Sequence, residues 1–116
     1  MPDRNSSLQE AIKDILKTEK TPILVIDKRV IKQKYQEFYS EFSDAKLYFA
    51  LKSNPHPGVV ELLQEIGCDF EISSHGELKH LLRLGVPVRR IISGNQFTDC
   101  FTSLNSCCPS GDIRVL

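Results

Sequence analysis

Apolar residues recur along most of this chain at two alternating periods. Leu8, Ala11, Ile12, Ile15 and Leu16 fall at i, i+3, i+4, i+7 and i+8, the spacing of one helix face. Ser7-Leu8-Gln9-Glu10 has the form of a capping box, and Lys17 and Lys20 stand at the far end, where cations suit the helix dipole. The pattern predicts an amphipathic helix closing near Lys17–Lys20. Thr21-Pro22 breaks it. Ile23-Leu24-Val25-Ile26 then reads as a short buried strand. Asp27 is a natural N-cap for a second helix, in which Ile31, Tyr35, Phe38 and Phe42 make one apolar stripe. That spacing is the packing spacing, so these aromatics are expected in the core rather than stacked on a ligand.

A second apolar run, Leu47–Leu51, leads directly into Lys52, then into Ser53-Asn54 and Pro55-His56-Pro57. A third helix is expected from about Pro57 to Ile66, with Val59, Val60, Leu62, Leu63 and Ile66 inward and Gly67 just past its end. Asp69-Phe70-Glu71-Ile72-Ser73 reads as the next strand. Ser74-His75-Gly76-Glu77 is another capping box, opening a helix with Leu78, Leu81, Leu82 and Leu84 that Gly85 closes. Val86-Pro87 leads to a last strand, Arg90-Ile91-Ile92-Ser93, followed by Gly94-Asn95. The strand cores begin near Ile23, Leu47, Phe70 and Ile91, just over twenty residues apart, with one helix between each pair. Strict alternation at that interval predicts parallel βαβ units and an α/β fold. Four such units are half of a (β/α)₈ barrel, which takes about 250 residues.

From Gln96 the pattern stops, and Ser, Thr and Cys crowd the remainder. The sequence therefore divides into a helix over 1–20, a partial (β/α) barrel domain over 21–95 and an irregular segment over 96–116. That last segment is expected to be a non-native ending, out of frame or mis-spliced. Sequencing the locus tests this, because an intact long reading frame carrying the same tail would contradict it.

Composition narrows the function classes. The 15 basic and 15 acidic side chains cancel, so no electrostatic case exists for nucleic acid or an anionic membrane as partner. The first residues are polar and no apolar run approaches membrane-spanning length, which makes the cytoplasm the expected location. Cys68, Cys100, Cys107 and Cys108 have no zinc-ligand spacing, and without a secretory signal a disulfide framework is not expected. All four read as structural.

Candidate chemistry gathers at Lys52, where a predicted strand ends. In (β/α) folds chemistry is placed at the C-terminal ends of strands. By position alone Lys52 is either a solvated surface residue or an amine kept neutral by the apolar strand end and free to form a Schiff base. Phe49-Ala50-Leu51-Lys52-Ser53-Asn54, with Val59, Val60, Leu63 and then Gly67, resembles the cofactor-lysine motif of the fold-type III pyridoxal-phosphate decarboxylases, the ornithine/diaminopimelate/arginine decarboxylase family. That pattern asks for an aromatic, a small residue, any residue, Lys, a small residue and often Asn, then apolar positions at helical spacing and a Gly. The likeness covers residues 21–95.

The resemblance implies an alanine-racemase-like (β/α)₈ barrel, incomplete in this chain. It implies pyridoxal 5'-phosphate held by Lys52 as a Schiff base, and α-decarboxylation of a basic or dicarboxylic amino acid or a derivative. The full-length family is expected to form a homodimer. Glu71 stands where the family often has an Asp near cofactor and lysine, which makes it a cofactor-binding candidate. Strand periodicity equally allows it to face solvent. Glu77 matches a family Glu in Ser-x-Gly-Glu, though its capping position explains it. His75 is read as a loop or helix-start residue, because the family's ring-stacking His comes from later in the barrel. His56 and His80 read as surface, and Lys79, Arg83, Arg89 and Arg90 as a solvated helix face. The family's glycine-rich phosphate loop, its acidic partner for the pyridine nitrogen and its C-terminal β domain find no counterpart, so the 116-residue chain is expected to be inactive alone. Two alternatives remain: a non-catalytic pyridoxal-phosphate-binding or regulatory relative, and an amino-acid racemase on the same barrel.

Overall fold

The computed structural model describes residues 4–94 and 114–115, with side chains for 6–94. Helix α1 spans Arg4–Thr18. It begins upstream of the expected cap, so Ser7 lies inside it and its hydroxyl accepts from Arg29 Nη1 at 3.4 Å. Helix α2 spans Lys28–Glu41 behind the expected cap, Asp27, whose carboxylate accepts from Arg29 N. Strand β1 is Tyr48–Ala50, followed by a 3₁₀ turn over Leu51–Ser53. Helix α3 is Pro57–Glu65, strand β2 Asp69–Ile72, helix α4 His75–Arg83 and strand β3 Ile91–Ser93. A two-residue strand, β4, is formed by Arg114–Val115. Gly67 and Gly85, the two predicted helix stops, have φ of +90° and +78°, which a side chain would strain.

All four strands pair in parallel in the order β1-β2-β3-β4. Phe49, Phe70 and Ile91 share one register row, and Ala50, Glu71 and Ile92 the next. Side chains alternate across a strand, so Phe70, Ile72 and Ile91 fall on one face. There they form the core with Leu51, Val59, Val60, Leu63, Leu78, Leu81 and Val86. Tyr48, Ala50, Asp69, Glu71 and Ile92 occupy the opposite face.

Two expectations about apolar segments fail. Ile23–Ile26 belongs to no strand, and Leu24 is 87% exposed. An apolar run becomes a strand only where another backbone offers a ladder, and none of the described strands pairs with it. The stripe on α2 is only half used: Ile31 and Tyr35 pack against the core, whereas Phe38 and Phe42 are exposed and lie against each other. Strand β1 is the edge of the sheet, so the second half of α2 has no further strand to cover. The segment over 96–113 lies outside the described residues. The pairing of Arg114–Val115 with Ile92–Ser93 is one that periodicity did not anticipate.

At the N-terminal ends of the strands Asp69 is buried between two cations. Its Oδ2 meets Lys46 Nζ at 2.7 Å and its Oδ1 accepts from Arg90 Nε at 2.9 Å. Arg90 also donates to Cys68 O at 2.6 Å and to Gln64 O at 3.2 Å. The guanidinium thus reaches Gln64 O, in the last turn of α3 and already accepting from Gly67 N at 3.2 Å, and Cys68 O just before β2. The solvated-face reading of Arg90 is thereby corrected.

The neighbouring Cys68 thiol is buried, its Sγ 3.3 Å from Asp69 O. Burial pushes it up from 9.0 to about 11. The unfolded thiol therefore ionises first as pH rises, and the folded state, which keeps its proton, loses relative stability between those two values. Urea midpoints should fall across pH 9.0 to 11, and Cys68→Ala should lessen the fall. An equal fall in both proteins would contradict the assignment.

Candidate functional site

The 3₁₀ turn after β1 sets the direction of Lys52. Leu51 is fully buried and Asn54 N closes the turn onto Leu51 O at 3.2 Å. Three residues make one such turn, so with Leu51 pointing into the core its successor swings out. Lys52 is exposed. Of its two positional readings, the solvated one matches, because nothing described covers the side chain.

The loop beyond Lys52 is held at several points. Asn54 Oδ1 accepts from His56 N at 3.1 Å, and His56 Nδ1 accepts from Gly58 N at 3.1 Å. His56 is therefore the N-cap of α3, with Pro57 as the first helical residue. From α4, His80 Nε2 donates to Pro55 O at 2.7 Å. Reading both histidines as surface missed these roles. The signal for His56 was present, a hydrogen-bonding residue directly before a helix-starting proline. For His80 there was none, since its partner is 25 residues away.

Glu71 stands one strand over, paired with Ala50 and Ile92. Its Oε1 accepts from the Ser73 hydroxyl at 3.4 Å and reaches up to Gly94 at the end of β3. Glu77 does not join it. Ser74 Oγ accepts from Glu77 N at 3.2 Å, and Glu77 Oε2 accepts from Ser73 N at 2.6 Å, so the carboxylate is consumed in the cap. His75 begins α4, and its Nδ1 is buried with no hydrogen-bond partner among the described residues.

The C-terminal ends of three parallel strands thus carry Lys52, Glu71, Ser73 and Gly94. Among the described residues no His/Cys/Asp/Glu cluster could hold a metal ion, and no helix is long and apolar enough to cross a membrane. The donor set is an accessible primary amine with a carboxylate on the neighbouring strand. This fits the aldehyde end of a pyridoxal group, which bonds to an amine.

Residues 28–100 match the family described as pyridoxal-dependent decarboxylase, pyridoxal binding domain. The chain belongs to this family, whose members use a parallel (β/α) barrel and pyridoxal phosphate. It is similar to the diaminopimelate decarboxylase of Aquifex aeolicus, 34% identical over 82 residues, covering 71% of this chain and 20% of that protein. It is also similar to a probable ornithine decarboxylase of Dictyostelium discoideum, 34% identical over 90 residues, or 77% of this chain and 20% of that protein. The crystal structure of lysine/ornithine decarboxylase from Vibrio vulnificus, complexed with putrescine, superposes with a TM-score of 0.71 at 30% identity. That match covers 74% of this chain and 24% of the other. Antizyme inhibitor 2 of Xenopus laevis matches too, 30% identical over 76% of this chain and 20% of that protein. The chain spans about a fifth of the length of the curated relatives it matches.

Proposed function

We propose that this chain is the cofactor-lysine segment of a pyridoxal-phosphate-dependent amino-acid decarboxylase. The observation that carries the reading is Lys52, exposed on the turn that ends β1, within the stretch matching the pyridoxal-binding domain. When bound, the cofactor supplies a conjugated ring that takes up the electron pair left by departing carbon dioxide. Lys52 contributes the primary amine that bonds to the cofactor aldehyde, and its exposure leaves Nζ accessible. His80 and Asn54 orient the loop that follows it. Glu71, already accepting at Oε1, offers Oε2 as an acceptor for a proton at the same strand ends.

The substrate is a basic or dicarboxylic amino acid or a derivative, which the names of the diaminopimelate, ornithine and lysine decarboxylases support. The complete barrel works as a cytoplasmic homodimer. The similarity to an antizyme inhibitor supports a second reading, a regulatory relative without turnover.

Borohydride reduction in excess pyridoxal phosphate, followed by peptide mapping, tests the cofactor-lysine reading. Selective label on Lys52, absent from Lys52→Ala, is the expected result. Label scattered over surface lysines and unchanged in Lys52→Ala would reject the cofactor-lysine reading.

A further inference from the structure

Gly94 is a glycine without a backbone reason to be one. The positive-φ glycines of the described chain are Gly67 and Gly85, so an L-residue could adopt the backbone of Gly94. Gly94 N continues the β2–β3 ladder, donating to Ile72 O at 3.4 Å. What excludes a side chain is Glu71: an added Cβ would stand 2.6 Å from Glu71 Oε1 and 3.4 Å from its Cδ. The space a methyl group would take is the space the carboxylate occupies.

We propose that Gly94 is a positioning residue for Glu71. It leaves open the volume that lets the longer glutamate side chain lie across the top of the sheet with Oε1 on the Ser73 hydroxyl. The conflict created by alanine falls on the end of a flexible side chain, not on backbone. Gly94→Ala therefore moves the carboxylate and leaves the fold in place. Aspartate ends one methylene earlier, so it avoids an alanine at 94 and tolerates the change. The functional consequence rests on the decarboxylase reading of Lys52 and Glu71, whereas the geometric claim does not.

The test uses the full 116-residue chain with Gly94→Ala, Glu71→Asp and the double variant. Glu71's carboxyl ¹³C resonance, assigned with Glu71→Gln, should shift in Gly94→Ala while circular dichroism and thermal midpoint stay as in the parent. Pyridoxylation of Lys52 should slow in Gly94→Ala by up to about a hundredfold, the scale of a ~1 Å misplacement at a reacting site, and recover in the double variant. An unmoved carboxyl resonance would overturn the inference. So would loss of the fold in Gly94→Ala, which would put the conflict in the backbone, or a double variant as slow as Gly94→Ala. If the parent chain shows no selective label on Lys52, the decarboxylase reading fails by itself and the carboxyl resonance still decides the role of Gly94.

Discussion

Replacing Arg90 with alanine is expected to cost about 3–5 kcal/mol, the range for removing one partner of a buried ion pair. Asp69 has a side chain only 8% exposed, and Arg90 one of 19%. Without the guanidinium, Asp69 Oδ1 loses its donor, while Lys46, 61% exposed, remains on Oδ2 alone. Cys68 O loses the Arg90 donor as well, while Gln64 O keeps Gly67 N. A buried acceptor left unmade carries its full desolvation cost. Arg90→Lys should recover little, since one ammonium cannot span a carboxylate and two carbonyls the way a planar fork does. Native domains have only about 5–15 kcal/mol in total, so Arg90→Ala should remove a large share of the parent's stability and lower the urea midpoint markedly. A loss below about 1 kcal/mol, the size of an exposed pair, would show that the network is not coupled as the distances indicate.

Phe70→Ala is expected to cost about 3–5 kcal/mol, against well under that for Phe38→Ala. Phe70 is fully buried on the central strand β2, in register with Phe49 and Ile91. Its ring fills the layer between the sheet and helices α3 and α4. Truncation there loses the transfer free energy of the ring and leaves a cavity that a close-packed layer closes only partly. Phe38 is 45% exposed and meets mainly Phe42, so its removal takes away surface contact without opening a cavity. Chemical denaturation of the two variants beside the parent measures the contrast. Equal losses would mean that the second half of α2 belongs to the core after all.

The exposed apolar residues have a further consequence. Leu24, Phe38 and Phe42 are exposed along with the edge of β1, which is unpaired among the described residues. Open edges and contiguous apolar surface are recognised routes to association. The same features explain why Ile23–Ile26 read as a strand, because an apolar run is written alike whether or not a strand pairs with it.

What the sequence by itself determined was local. Helices α2, α3 and α4 came from the 3.6-residue period, their stops from Gly67 and Gly85, and the α4 cap from Ser74 and Glu77, all interactions within one turn of chain. The parallel α/β fold followed from the regular interval between strand cores. Lys52 was legible as a candidate because a motif and a strand end coincide there. The tertiary structure alone decided that Ile23–Ile26 is no strand, that Lys52 is exposed, and that Arg90 is a clamp. It also decided that His80 holds the loop after Lys52 and that Gly94 makes room for Glu71. Arg90 meets Asp69 across 21 residues and Gln64 across 26, and His80 meets Pro55 across 25. Such contacts depend on which strands pair and in what register. Periodicity fixes which face a residue lies on, but not what lies opposite.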